Sequence, residues 1–296
     1  MLTLLAPAKL NLFLRIIGRR EDGYHLLQTV FQLLDYGDEL QFRPRPDNAI
    51  TLALQSTETT APGFAELDNI DDNLVLRAAR NLQAHSGCRR GADITLIKRL
   101  PVGGGLGGGS SDAAATLLLL NDMHASPLSL TELHEMAVKL GADVPFFLYA
   151  RPSLARGIGD ILEPINEWPE FWYVIITPPI KVSTAWVYKN YRLELTTNEY
   201  EFIVNLLKSD SFAVSHILEN DLERVTSARF SIVNTLKQLL MDSGAEGAIM
   251  SGSGPSVFGL FLSKNQAISA KDNLLTHQLG DVFMAKGWET TAHDVQ

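Results

Sequence analysis

The sequence predicts a mixed α/β protein of two domains, and three observations carry that prediction. Short apolar runs separated by turn residues open the chain, capped helices follow them, and a second alternation of strands and helices fills residues 172 to 286. At 296 residues the chain has room for one large domain or two of ordinary size. Pro164 and Pro169 interrupt the pattern, which places the boundary between 160 and 170 and divides the chain into residues 1–165 and 166–296.

Taken in order, strands are expected at Leu10 to Ile17, Thr29 to Leu34, Glu39 to Phe42 and Ile50 to Leu54. Gly18, Asp22-Gly23, Gly37-Asp38, Pro44 and Pro46 punctuate them. A helix from Asn73 to Ala84 would take Asp71 or Asp72 as its cap and stop near Gly87. A strand at Asp93 to Leu100 leads into a glycine-rich loop and two helices, Ser110 to Asn121 and Leu130 to Leu140. Ser129, Glu132 and Gly141 supply the second helix with a capping box and a stop. Short strands are expected after Pro145, then a strand at Trp172 to Thr177. Helices follow at Thr184 to Tyr191, Glu199 to Leu207 and Phe230 to Ser243. Strands at Gly247 to Met250 and Ser256 to Leu262, a helix at Lys264 to His277 and a strand at Val282 to Lys286 complete the chain.

Composition narrows the function. The chain is 46% hydrophobic and 20% charged, as expected of a globular protein with a buried core. Its net charge of -9 and the absence of a basic stripe argue against nucleic-acid binding. The same acidity repels phosphate ligands, so local donors must hold any that bind. One cysteine, Cys88, excludes a disulfide within the chain and fits a cytoplasmic location. No apolar run approaches the length of a membrane span, so a soluble protein without membrane partners is expected. His124, His134, His216, His277 and His293 show no metal-ligand spacing, and no metal site is expected from a motif of its own.

The segment from Pro101 to Asp112 is the most informative. Six of the seven residues Gly103, Gly104, Gly105, Leu106, Gly107, Gly108 and Gly109 are glycine, which suits close approach of backbone to a ligand. The loop joins a strand to a helix, so its amides and the helix N-terminus form an anion site, and the Ser110 and Ser111 hydroxyls can bond phosphate or a hydrated Mg²⁺. A P-loop would need lysine where Ser110 stands. A dinucleotide fingerprint can be laid on Gly103, Gly105 and Gly108, but it calls for a strand and an acidic residue where a second helix follows. A flexible linker would carry polar spacer residues, which are missing here.

Two further segments carry polar groups in apolar surroundings. Lys9 and Asn11 lie two apart in a strand and share one face; taken alone, they read as a half-exposed strand with a solvated lysine. Asp143, in Gly141-Ala142-Asp143-Val144-Pro145, reads alone as a turn aspartate. If Asp143 is buried it needs a cation, and pairing with Lys9 would also suit a carboxylate facing a substrate hydroxyl. Gly252-Ser253-Gly254-Pro255 reads as a glycine turn between strands.

These three segments, in this order, resemble the GHMP kinase superfamily. Pro7 to Leu12, Gly18 to His25, Asp35 to Asp38, Asp72 to Leu74 and Gly141 to Pro145 are similar to the branch whose acceptor is a cytidine-diphosphate sugar alcohol of non-mevalonate isoprenoid synthesis. The resemblance implies an N-terminal ribosomal-protein-S5-like domain and a C-terminal ferredoxin-like domain with the site between them. It implies ATP as phosphoryl donor with Mg²⁺, transfer to an alcohol, Asp143 as general base and Lys9 as its partner. It implies that Pro101 and Gly103 to Ser111 hold the ATP phosphates, with Asn73 and Lys98 near the adenine end and Ser110 or Ser111 toward the metal. Asn11, Tyr24, His25, Phe31 and Tyr188 are the implied substrate residues, the aromatic rings sandwiching the cytosine. The small-molecule acceptor is the one partner expected, on a monomer or weak homodimer. A sister kinase for homoserine or mevalonate, and a nucleotide-binding protein without turnover, remain the alternatives.

Overall fold

The computed structural model describes residues 1–56, 70–87, 90–123, 127–165, 168–192 and 217–288. Cys88, His124, His216, His293 and the helix expected over Glu199 to Leu207 lie outside these residues.

Two long antiparallel strands, β1 (Leu2–Arg19) and β2 (His25–Arg45), form the spine of the molecule. β2 replaces the two strands expected around Gly37-Asp38. Gly37 is not a turn residue but a point of close approach, where a Cβ would lie 2.0 Å from the Ala6 carbonyl oxygen on β1. β3 (Ile50–Ser56) runs parallel to β4 (Gly91–Lys98), which pairs with β2, while β5 (Ser153–Arg156) and β6 (Ile161–Pro164) extend the sheet from the other end of β2.

Four helices cover this sheet: α1 (Leu74–Ser86), α2 (Gly108–Asp122), α3 (Leu130–Leu140) and α4 (Val144–Tyr149). Val75, Ala78 and Leu82 of α1 and Ala113, Ala114 and Leu117 of α2 pack with Phe42, Ile94 and Leu96 of the strands. The cap of α1 is Asn73, whose side chain accepts from Val75 N; Asp71 and Asp72 belong instead to a short 3₁₀ turn, Ile70–Asp72. The α3 capping box forms as its sequence signals. The short strands expected after Pro145 form as β5 and β6, but α4 precedes them, because a proline in the first helical turn lacks only an N–H that has no intrahelical acceptor.

The C-terminal half contributes β7 (Trp172–Thr177), α5 (Thr184–Asn190), β8 (Glu219–Asn220), α6 (Glu223–Arg229), α7 (Ile232–Asp242), β9 (Gly247–Met250), β10 (Val257–Phe261), α8 (Lys264–Thr276) and β11 (Asp281–Trp288). The helix expected from Phe230 to Ser243 begins two residues later, at Ile232, with the separate α6 ending just before Phe230. β7 is buried on both faces, as its unbroken apolar run requires. Val174 and Ile176 meet α5, α7 and α8, whereas Tyr173 and Ile175 meet Leu10, Leu12 and Phe13 of β1.

The strand order β3-β4-β2-β11-β7-β10-β9 joins the two halves, since β11 pairs with β7 along its length and with β2 through Gly287 and Trp288. The two-residue β8 also crosses back, lying parallel to β1 at Phe13 and Leu14. The glycine-rich loop therefore sits where both halves reach it.

Candidate active site

The glycine-rich loop is held from beneath by its carbonyls. Leu106 O accepts from Lys9 N at 2.9 Å, Gly105 O from the Ser251 hydroxyl at 2.9 Å, and Gly104 O from Ser256 N at 3.1 Å. Gly105 has φ +81°, and a Cβ there would lie 2.3 Å from Ser251 O, so only glycine fits. The turn at 251–256 thus braces the glycine-rich loop. Gly107 caps α2 in the left-handed region, and the first-turn amides of α2 have no intrahelical acceptors.

Next to this loop, Lys9 and Asp143 meet. Lys9 Nζ lies 3.2 Å from Asp143 Oδ2 and donates to Asn11 Oδ1 at 2.5 Å. Asn11 Nδ2 donates to Thr29 Oγ1 at 2.8 Å, and Thr29 donates to Phe13 O at 2.5 Å. The lysine is 4% exposed, so its charge needs these partners; the Asp143 side chain keeps 35% of its surface open to the cleft. Phe31 lies beside the pair, 5.0 Å from Lys9 Nζ, its ring tilted at 36° against Phe146 with centroids 4.7 Å apart.

At the far end of the cleft His25 faces Tyr188, ring centroids 5.3 Å apart, with Tyr191 edge-on at 6.3 Å. Tyr24 projects from the adjoining turn and is 60% exposed. Burial, helped by the Arg19 charge, lowers the His25 pKa. Burial, with the nearby Asp143 charge, raises that of the Tyr188 phenol. A single cleft of about 1040 Å³ runs from these rings past Lys9 and Asp143 to the glycine loop and Asn73. A buried lysine paired with a part-exposed carboxylate, between a helix N-terminus and an aromatic wall, suits transfer of a phosphoryl group to a hydroxyl.

Models of two families match the chain: the GHMP kinases N-terminal domain over residues 73–151 and the GHMP kinases C-terminal region over 202–279. The chain is 44% identical to 4-diphosphocytidyl-2-C-methyl-D-erythritol kinase of Syntrophotalea carbinolica, over 91% of this chain and 93% of that one. The chain belongs to the GHMP kinases. A crystal structure of 4-(cytidine 5'-diphospho)-2C-methyl-D-erythritol kinase superposes on this GHMP kinase with a TM-score of 0.79 at 33% identity, covering 97% of this chain and 100% of that one. A homoserine kinase from Cytophaga hutchinsonii shares the fold, with a TM-score of 0.70 at 20% identity over 96% and 93% of the two chains.

Most of the residues singled out in the sequence line the cleft of this GHMP kinase, including Lys9, Asn11, Tyr24, His25, Asn73, Pro101, Asp143 and Tyr188. Three are placed otherwise than expected. Phe31 lies six residues along β2 from His25, roughly 20 Å at strand rise, and joins the Lys9–Asp143 pair rather than the ring stack. Ser111 is 1% exposed and turned into the protein, which leaves Ser110 as the cleft-facing hydroxyl. Lys98 lines the cleft, but its ammonium bonds Asp38 and, at 3.1 Å, Asp112, all three buried.

Asp38 and Asp112 were not legible as site residues. Two carboxylates here compete for one ammonium, and Asp38 also accepts from Arg99 N and Leu100 N at 2.6 and 2.9 Å. Burial and Asp38 push the Asp112 pKa up to about 7 against the pull of Lys98. Burial opposes the charge on Lys98, yet the two carboxylates outweigh it and raise its pKa. Asn220 was also missed. Its Nδ2 donates to Met250 O and Gly252 O at 2.8 and 2.7 Å, fixing the turn that braces the glycine loop. Only the polar run Glu219-Asn220-Asp221, between apolar neighbours, marks it in the sequence.

Proposed function

We propose that this GHMP kinase transfers the γ-phosphoryl group of ATP to the 2-hydroxyl of 4-diphosphocytidyl-2-C-methyl-D-erythritol, in the non-mevalonate route to isoprenoid precursors. The observation that carries the reading is the Lys9–Asp143 pair at 3.2 Å, set in one cleft between the glycine loop and the His25–Tyr188 rings. A cytidine base suits that aromatic end, because flat rings stack on it and a neutral imidazole can bond its edge.

In this mechanism Asp143 accepts the proton of the acceptor hydroxyl as its oxygen attacks the γ-phosphorus in line. The bond to the β–γ bridging oxygen breaks, and ADP leaves with the electron pair. Lys9 orients the Asp143 carboxylate and is itself oriented by Asn11 and Thr29. Loop amides and the start of α2 face the phosphates, with Asn73 toward the adenine end. Ser110 is the hydroxyl suited to Mg²⁺, and no group of three or more His, Cys, Asp or Glu side chains able to hold a metal is found among the described residues. Bound with the nucleotide, Mg²⁺ would offset charge on the β- and γ-phosphates. We assign residues 1–165 to the nucleotide-binding domain and 166–296 to the ferredoxin-like domain, in a cytoplasmic enzyme. No described helix is long and apolar enough to cross a membrane.

The test is ADP release with Mg-ATP and a panel of diphosphocytidyl-methylerythritol, homoserine, mevalonate and phosphomevalonate. Turnover is expected with the cytidine compound alone, and Asp143→Asn should lower kcat on the order of a hundredfold or more. Turnover with another acceptor would retain the mechanism and remove the cytidine assignment. Near-normal turnover by Asp143→Asn would remove the base.

A further inference from the structure

We infer that Asp221 and Tyr191 are positioning residues for the acceptor base, acting through His25. The inference rests on His25 belonging to the cytidine pocket, as proposed above. His25 stands at the first position of β2, next to an exposed turn, and its ring nitrogens make no hydrogen bond among the described residues. Those nitrogens can therefore serve a ligand, but the ring must be held by packing alone.

Two tyrosines supply that packing. Tyr188 and Tyr191 lie three apart at the end of α5 and so share one face, Tyr188 meeting the imidazole at 35° and Tyr191 meeting it at 86°. One sets the plane of the ring and the other closes its edge, so the pair leaves the imidazole one orientation.

Tyr191 is in turn fixed. Its hydroxyl donates to Asp221 Oδ2 at 2.9 Å, its ring lies under the Arg224 guanidinium at 5.0 Å, and it is 7% exposed. Asp221 cannot follow a moving tyrosine, because the same Oδ2 accepts from Ile16 N at 2.7 Å and Asp221 N donates to Leu14 O at 2.9 Å. β1 thus carries both the anchor of Asp221 and, at Arg19, the ladder partner of His25. The chain of contacts closes on itself: β1, Asp221, Tyr191, His25, β2. None of these links touches the glycine loop, so a fault in them should affect the acceptor and spare the nucleotide.

The test compares Asp221→Asn, Tyr191→Phe and His25→Ala in steady-state kinetics with the diphosphocytidyl acceptor, and follows the His25 ring signal by NMR. Loss of one hydrogen bond to a charged group should raise the acceptor KM about tenfold. The KM for ATP should stay within about twofold, and the His25 signal should shift in both positioning variants. Tyr191→Phe removes a single hydroxyl, so it still decides the matter if Asp221→Asn fails to fold. An acceptor KM that rises in His25→Ala and stays put in Tyr191→Phe would overturn this inference and leave the cytidine pocket standing. Equal rises in both KM values would show a merely structural role and overturn it too. An unchanged acceptor KM in His25→Ala would remove the pocket assignment and this inference with it.

Discussion

At the scale of single residues, burial turns charge into a constraint. Lys9 and Lys98 are both about equally hidden, yet their surroundings differ. Lys9 has one carboxylate that is a third exposed in the cleft, whereas Lys98 is held between two that are buried. A group with an open partner can meet a substrate; a group locked between buried partners acts on structure. Lys98→Met would leave Asp38 and Asp112 side by side without a cation. Breaking a buried pair in this way costs about 3–5 kcal/mol, so a lower urea midpoint at neutral pH is expected. A midpoint unchanged from the parent would mean that Lys98 is free to serve the nucleotide.

At the scale of elements, the glycine-rich loop depends on a second loop, with Gly105 and Ser251 146 residues apart in the chain. Gly105 is the contact between them, with φ +81° and Ser251 O in the space of its Cβ; Gly87, with φ +65°, has open space around it. Gly87→Ala should therefore cost only the left-handed strain of roughly 1–2 kcal/mol. Gly105→Ala adds a backbone clash, so its melting temperature should fall further and its ATP KM should rise, which the Gly87 variant should not show. Equal behaviour of the two in melting and kinetics would refute the brace.

At the scale of the whole molecule, each half is matched in part by a family model of its own, yet the two share one core. Leu10, Leu12 and Phe13 from the first half pack with Tyr173, Phe258 and Leu260 from the second, and β11 is hydrogen-bonded to both. Residues 1–165 expressed alone would expose that face to water, at about 25 cal/mol per Å² of apolar surface. The fragment should lack a cooperative urea transition, while the full chain should unfold in one step monitored by near- and far-ultraviolet circular dichroism. A cooperative transition in the fragment would show that the first half is self-sufficient.

Much of this was determined by the sequence. Local signals suffice where a property depends on neighbours along the chain: the apolar run of β7, the capping box of α3, and a glycine-rich loop whose composition suits close approach of backbone. Lys9, Asn11 and Asp143 were legible as candidates only through the family resemblance, since taken alone they read as a half-exposed strand and a turn aspartate. What tertiary structure alone decided concerns partners distant in sequence. Gly37 looked like a turn and proved to be a strand contact, since the obstacle is Ala6 across the sheet. Phe31 and His25 could be grouped by type, but the length of β2 separates them. Asp38, Asp112, Asn220 and Asp221 are ordinary polar residues until folding removes water from around them. Hydrogen bonding and charge pairing then depend on distance in space, which spacing along the chain does not record.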